Sequence, residues 1–360
     1  MHAIDEIIEH AYKTTDFPAL NFQTETWAKN RPLDGLRIID ASPIFRNTLT
    51  KYRALIAAGA QLSVGLTELF PHDPKIKKML EEAGVPVVRN DEQTFDVDLI
   101  LDNAGSFSAW SPRLGYVELT RSGAEKYAVA EKPVFFADGG RIKRIETCLG
   151  TGEGFYRAME QLGYADWNGK KLLVFGSGKV GSGLVFYAKR KGAHVTVVSD
   201  PASATPLVRS RADAIIDFRD EPAVIAAVSD AFAVVSATGV CGAHDRGSLP
   251  EALAASSALL ANMGVEDEFG PRVPATRVLG EKKSLNFFLE EPTHLRYIDA
   301  TLALHNAGAV FLAKHAGTLA SGLLTPPESV EEEILRITRE RGIIAEEMKI
   351  LGELEDGKKA

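Results

Sequence analysis

The chain is short of cysteine, of basic runs and of long apolar runs, and each shortage excludes something. Two cysteines in 360 residues, Cys148 and Cys241, are too few for a disulfide framework or a thiolate zinc site. They read as small core or near-site residues in a reducing compartment. No compact set of His, Cys and carboxylate side chains has metal-ligand spacing, so no metal is expected. The formal net charge of −8 comes without a long run of Lys and Arg, so the phosphate-neutralising surface needed for nucleic acid is not evident. No stretch of about 18 apolar residues occurs. The opening MHAIDEIIEHAYKTTDF puts acids where a signal peptide has a basic and then an apolar segment. The expectation is a cytoplasmic protein with a small-molecule partner, bound neither to a membrane nor to nucleic acid.

What the sequence has is glycine and a regular beat of apolar runs. With 31 glycines, 45% hydrophobic and 25% charged residues, the composition is that of an ordinary globular protein rich in turns. Its length exceeds what one hydrophobic core normally serves, so two domains are expected. After a short acidic helix near residues 3–13, strand-like runs alternate with helical ones: GLRIIDAS, QLSVGL, VPVVR, DLILDNAG and PVFFADGG. Each run is short and each helix ends near a glycine, as in βαβ units. A helix TGEGFYRAMEQLG leads into a second series, LLVFGSG, AHVTVVS, DAIIDF, AFAVVSATG, ALLANMG and TRVLG. A helix-compatible segment runs from His294 to about Leu319, and Pro326 and Pro327 open a last helix.

The second series begins with LLVFGSGKVGSG. Gly176, Ser177, Gly178, Lys179, Val180 and Gly181 form G-x-G-x-x-G between an apolar strand and an amphipathic helix, and Asp200 closes the next strand. The first glycine permits the tight turn, the second lets the backbone approach a pyrophosphate, and the third lets helix and strand pack closely. A dinucleotide is the expected ligand; a turn that binds nothing is the alternative. An acid at the end of the second strand favours NAD over NADP. Ser199 competes with Asp200 for the ribose-facing position, and Arg209 and Arg211 follow, so NADP stays open.

The order of motifs resembles the S-adenosylhomocysteine hydrolase family over nearly the whole chain. The carriers are DFPALNFQTETWAKNRPLDGLRIIDASP, LILDNAGSF, DGGRIKRIETCLG, GSGKVGSG, SATGV, LLANMG, GEKKSLN and LLTPPESVEEEILR. The resemblance implies an α/β protein of two Rossmann-like, doubly wound parallel-sheet domains, with an NAD-binding domain (150–292) inserted in a substrate-binding domain (1–149 plus 293–335). A C-terminal helix and tail (336–360) follow. It also implies NAD contacts at the glycine turn, Thr120, Thr238, Gly239, Asn262 and Asn286, closure of the two domains over substrate, and a homo-oligomer. The catalytic side chains depart from the family. Pro43, Leu119, Ile142 and Val265 stand where the family has histidine, glutamate, lysine and histidine, and the family's C-terminal arm is missing.

The rebuilt site leaves several candidates. Lys143, one residue from the family's lysine, is a candidate general base, with Glu146 as its acid partner; a solvated basic turn with Arg141 and Arg144 is the alternative. Asp138 and Asp102 end strands, where ligands bind in open α/β sheets, and either could instead be a plain turn acid. His294, on the same expected helix as His305 and His315, is a candidate for the missing acid-base histidine, or it is a structural histidine. The reading is an adenosylhomocysteinase-like NAD-dependent enzyme that carries out hydride transfer on a small hydroxylated or nucleoside-like substrate. Authentic S-adenosylhomocysteine hydrolysis is one alternative, and the other is a catalytically silent regulatory protein that binds NAD.

Overall fold

The apolar runs are short and mostly β-branched and leucine side chains, and those in the central strands are buried on both faces. This is the pattern of parallel strands covered by helices on either side. In the computed structural model, which describes residues 2–91 and 93–354, they form two sheets whose strand pairs are all parallel.

The strands are β1 (Arg37–Asp40), β2 (Gln61–Leu66), β3 (Val87–Arg89), β4 (Leu99–Asp102), β5 (Gly115–Glu118) and β6 (Pro133–Phe136). There follow β7 (Lys171–Phe175), β8 (His194–Ser199), β9 (Ala214–Asp217), β10 (Ala233–Ser236), β11 (Leu259–Asn262), β12 (Val278–Ser284) and β13 (Gly322–Leu324). The chain divides into two compact units, Met1–Ile145 with His294–Ala345, and Glu146–Thr293 with Glu346–Ala360.

In the first unit the sheet order is β13-β6-β5-β4-β1-β2-β3. Its core gathers Ile39, Ile100, Phe107, Trp110, Tyr116, Tyr127 and Val134. The helix Leu295–Lys314 packs on this sheet and carries buried polar groups. The Asp299 carboxylate accepts the Ala19 and Leu20 N–H groups at 2.9 and 3.0 Å, which satisfies the start of helix Pro18–Asn30, where no local side chain caps. Lys51 and Asp40 form a fully buried ion pair at the carboxyl end of β1. Burial lowers the lysine's pKa well below its ordinary value.

In the second unit the order is β12-β11-β10-β7-β8-β9. Numbered within the unit, this is 6-5-4-1-2-3, the doubly wound order, with its reversal between β7 and β10. The core holds Leu173, Phe175, Val198, Val234, Leu260 and Phe269. Helix Thr151–Gln161 packs close to helix Lys179–Arg190: a Cβ on Gly152 would lie 2.7 Å from the Gly183 carbonyl carbon.

Five elements differ from the sequence expectation. Helix Pro18–Asn30 and strands β5 and β13 were not foreseen. The helix expected from His294 to Leu319 ends at Lys314, where the His315 imidazole turns back onto the Phe311 carbonyl at 2.9 Å. The last helix runs Glu328–Arg341 and so spans the boundary expected at residue 336.

Candidate functional site

The glycine turn sits at the carboxyl end of β7, at the point where the second sheet reverses its strand order. Two of its glycines are required by the protein itself. Gly176 has φ +101 and a Cβ there would lie 2.3 Å from the Ala237 carbonyl oxygen; a Cβ on Gly181 would lie 2.1 Å from the Gly176 oxygen. Gly178 is different. Its φ of −76 is open to any residue, it is exposed, and a Cβ there would meet nothing within 4 Å. Helix Lys179–Arg190 starts directly after it with no side-chain cap. Lys179 and Val180 are half-buried in its first turn.

The neighbouring loops are fixed by side chains that bond inward. Ser177 and Ser199 share a hydroxyl–hydroxyl hydrogen bond of 2.6 Å. That bond ties the end of β8 to the glycine turn and directs the Ser199 hydroxyl there. The Asp200 side chain stays 39% exposed, with Arg219 at 3.5 Å. After β10, the buried Glu268 carboxylate accepts from Thr238 N, Thr238 Oγ1 and Gly239 N, each at 2.8 Å, and from the Ser236 hydroxyl. Asn262 is fully buried and donates to the Glu266 and Lys282 carbonyls at 2.7 Å while accepting from Gly264 N. Asn286 accepts from Ser284 and donates to the Pro292 carbonyl. The side chains of Asn262 and Asn286 thus shape their loops, and the N–H groups of Thr238 and Gly239 are already engaged.

The remaining expected residues fall in the first unit, apart from Glu146, which lies half-buried in the π-helical turn Ile145–Gly150 of the second. Asp102, Thr120 and Asp138 follow or end the adjacent strands β4, β5 and β6 along the carboxyl edge. Asp102 is fully buried and accepts from Asn103 N, Phe107 N, Ser106 Oγ and Tyr127 Oη at 2.5 to 2.9 Å. All four acceptor positions are filled, so it holds the 103–107 loop. Thr120 donates to Glu118 at 2.6 Å and accepts from Ala104 N at 2.9 Å.

Asp138 is half-buried in a short 3-10 turn. Lys143 is buried, which overturns the solvated-turn alternative, while Arg141 and Arg144 beside it are only partly covered. The backbone before it is held by the buried Glu331, which accepts from Ile142 N at 2.9 Å; a Cβ on Gly140 would collide with that carboxylate. His294 is half-buried at the entry of helix Leu295–Lys314. His305 is fully buried with Nε2 at 2.9 Å from the Val117 carbonyl. Burial, and then the positive charges of Lys51 and Lys143, push it well below the ordinary imidazole range.

Sequence reasoning missed Glu118. It lies fully buried at the end of β5, accepts from Ala104 N, Gly105 N and Thr120 N, and stands beside Asp102. Burial and the Asp102 charge push its carboxyl up to about 7. The signal was a glutamate closing the apolar run GYVE, which is a strand's carboxyl end.

Among the described residues no group of three or more His, Cys, Asp and Glu side chains is placed to hold a metal ion, and no helix is long and apolar enough to cross a membrane.

Residues 164–254 match a family model described as "Putative NAD(P)-binding", and no curated protein matches the sequence. Among solved structures, a dipicolinate synthase chain from Bacillus halodurans is similar with a TM-score of 0.53 and 13% identity, over 78% of this chain and 99% of that one. A transhydrogenase from Sinorhizobium meliloti aligns at 17% identity over 72% and 96%, with a TM-score of 0.39. A D-lactate dehydrogenase with NAD+ from Lactobacillus jensenii aligns at 14% over 79% and 99%, with a TM-score of 0.36. The likeness to the dipicolinate synthase chain shows the fold alone. The chain therefore holds an NAD(P)-binding unit of the Rossmann type.

Proposed function

We propose that the protein is an NAD-dependent oxidoreductase acting on a small hydroxylated or nucleoside-like substrate, in keeping with its resemblance to adenosylhomocysteinases. One observation carries the dinucleotide part. Gly178 is a glycine that the fold does not need, since a side chain there would meet only open space. The space that a Cβ would fill is what a pyrophosphate needs for close backbone approach, with the uncapped helix start behind it.

The glycine turn would hold the pyrophosphate. Asp200, half-buried just after β8 with Oδ1 accepting from Ala202 N while Ser199 bonds elsewhere, would take the ribose hydroxyls and favour NAD. The bound nicotinamide would supply a hydride acceptor. The substrate hydroxyl must lose a proton as it is oxidised, and Lys143, with Asp138, Glu146 and His294 as further candidates, is proposed to handle it. Asp102 is left with its loop, because its four acceptor positions are occupied.

Authentic hydrolysis of S-adenosylhomocysteine is less well supported. Ile142, at the family's lysine position, is fully buried, and Leu119, at its glutamate position, is buried too. The Gly178→Ala variant tests the dinucleotide site: it should melt like the parent and bind NAD at least tenfold more weakly by calorimetric titration. Equal affinity would sink the assignment. Incubation of the NAD-loaded protein with a metabolite library, followed by absorbance at the reduced-nicotinamide band, tests the redox step; no reduction with any candidate would favour a silent NAD-binding role.

A further inference from the structure

The loop after β10 flanks the reversal point of the second sheet, directly beside the glycine turn: the Ala237 carbonyl oxygen lies 2.3 Å from where a Gly176 Cβ would be. Its shape depends on one residue far along the chain. Glu268 is fully buried and its two carboxylate oxygens accept four hydrogen bonds, three of them from Thr238 and Gly239 and the fourth from Ser236. Its other face is closed by Gly264, where a Cβ would lie 2.1 Å from Oε1. Ser236 is held in turn by His244, whose Nε2 lies 2.7 Å from the serine hydroxyl. The serine proton goes to the carboxylate, so the imidazole must carry its own proton on Nε2 and donate it. His244 is buried against Phe175 and Phe269, with ring centroids 4.3 and 5.2 Å away.

We propose that Glu268, braced by Ser236 and His244, is a positioning residue that fixes the Thr238–Gly239 loop in the form required for dinucleotide binding. This rests on the dinucleotide reading above. The chain of donors runs in one direction, from His244 to Ser236 to Glu268, and Glu268 also collects the Thr238 and Gly239 N–H groups beside the reversal point. With those donors engaged, the glycine turn is left as the pyrophosphate cradle, and the 237–239 backbone serves as a rigid wall beside it. Charge-assisted bonds of this kind are short and roughly twice as strong as neutral ones, which suits a loop that must not rearrange when a ligand arrives.

The test compares the full-length parent with Glu268→Gln. The amide keeps the shape but turns an N–H donor toward the loop donors. We expect NAD affinity to fall at least tenfold by calorimetric titration, and the Thr238 and Gly239 amides to lose hydrogen-exchange protection. Thr238→Val removes one of the four bonds with little change of shape; it should weaken binding about threefold and carries the test if Glu268→Gln does not fold. A folded Glu268→Gln protein with parental NAD affinity overturns the positioning role, whatever its melting temperature. Should the parent itself bind neither NAD nor NADP, the dinucleotide reading fails, and this role with it.

Discussion

At the scale of single residues, three buried carboxylates make the first unit less stable as pH rises. Burial pushes both Glu118 and Asp299 up to about 7, against roughly 4 in an unfolded chain. The folded state therefore binds more protons than the unfolded one between about pH 4 and 7, and stability falls as pH rises through that window. Asp102, raised by its own burial, acts in the same direction. The buried His305, held below the imidazole range, acts the opposite way up to about pH 6.5, so thermal melting from pH 4.5 to 7.5 reads the carboxylate decline against that rise. Glu118→Gln should flatten the decline and lower stability at pH 5, where the amide nitrogen meets the loop donors that the parent oxygens accept. An unchanged slope would assign the decline elsewhere. Lys51 gives a second case: Lys51→Met leaves the Asp40 carboxylate buried without its cation, and such losses cost about 3–5 kcal/mol, readable by chemical denaturation. None of these partnerships was legible in the sequence. Asp299 reaches Ala19, 280 residues away, and residue spacing says nothing about such a pair.

At the scale of elements, the glycine turn was the most legible part of the protein, because its spacing, the strand before it and the helix after it are all local. The spacing already gave its glycines different tasks, and the structure adds what each one clears: the Ala237 oxygen for Gly176, the Gly176 oxygen for Gly181, and nothing within 4 Å for Gly178. Gly181→Ala would drive a methyl into the Gly176 carbonyl and should both destabilise the second unit and abolish NAD binding. Gly178→Ala should only weaken NAD binding and leave stability unchanged, so measuring melting and binding on the pair separates packing from ligand approach. The end of β8 shows the same mixture. Asp200 was legible as the acid that follows β8, whereas the Ser177–Ser199 bond that settles where Ser199 turns joins two side chains 22 positions apart. Asp200→Ser should cost NAD affinity about tenfold and bring NADP binding closer to it; an unaltered NAD-to-NADP ratio would remove Asp200 from the ribose site. Strand β5 escaped notice because it begins on Gly115, at φ +145 against the Pro133 carbonyl, and ends on a charge.

At the scale of the whole molecule, the two series of apolar runs were enough to anticipate two parallel α/β sheets, because a parallel strand covered on both faces leaves a continuous apolar signature, while their doubly wound order came only with the family resemblance. Which sheet a ligand stabilises is a separate question, and hydrogen exchange resolved by peptide can answer it. A ligand that binds only the folded protein stabilises it by about 2.7 kcal/mol at a hundred times its Kd, and exchange that proceeds through unfolding slows accordingly. Saturating NAD should therefore slow exchange most in peptides spanning β7, β8 and β10, whose carboxyl ends carry the glycine turn, Asp200 and the Glu268-held loop. Peptides from β1, β4 and β5 should change less, because their carboxyl edge is held by Asp102 and Glu118 without help from the dinucleotide. Protection concentrated instead on β1, β4 and β5 would place the nucleotide on the first sheet and require its carboxyl edge, with Asp138 and Lys143, to be reread as the cofactor site.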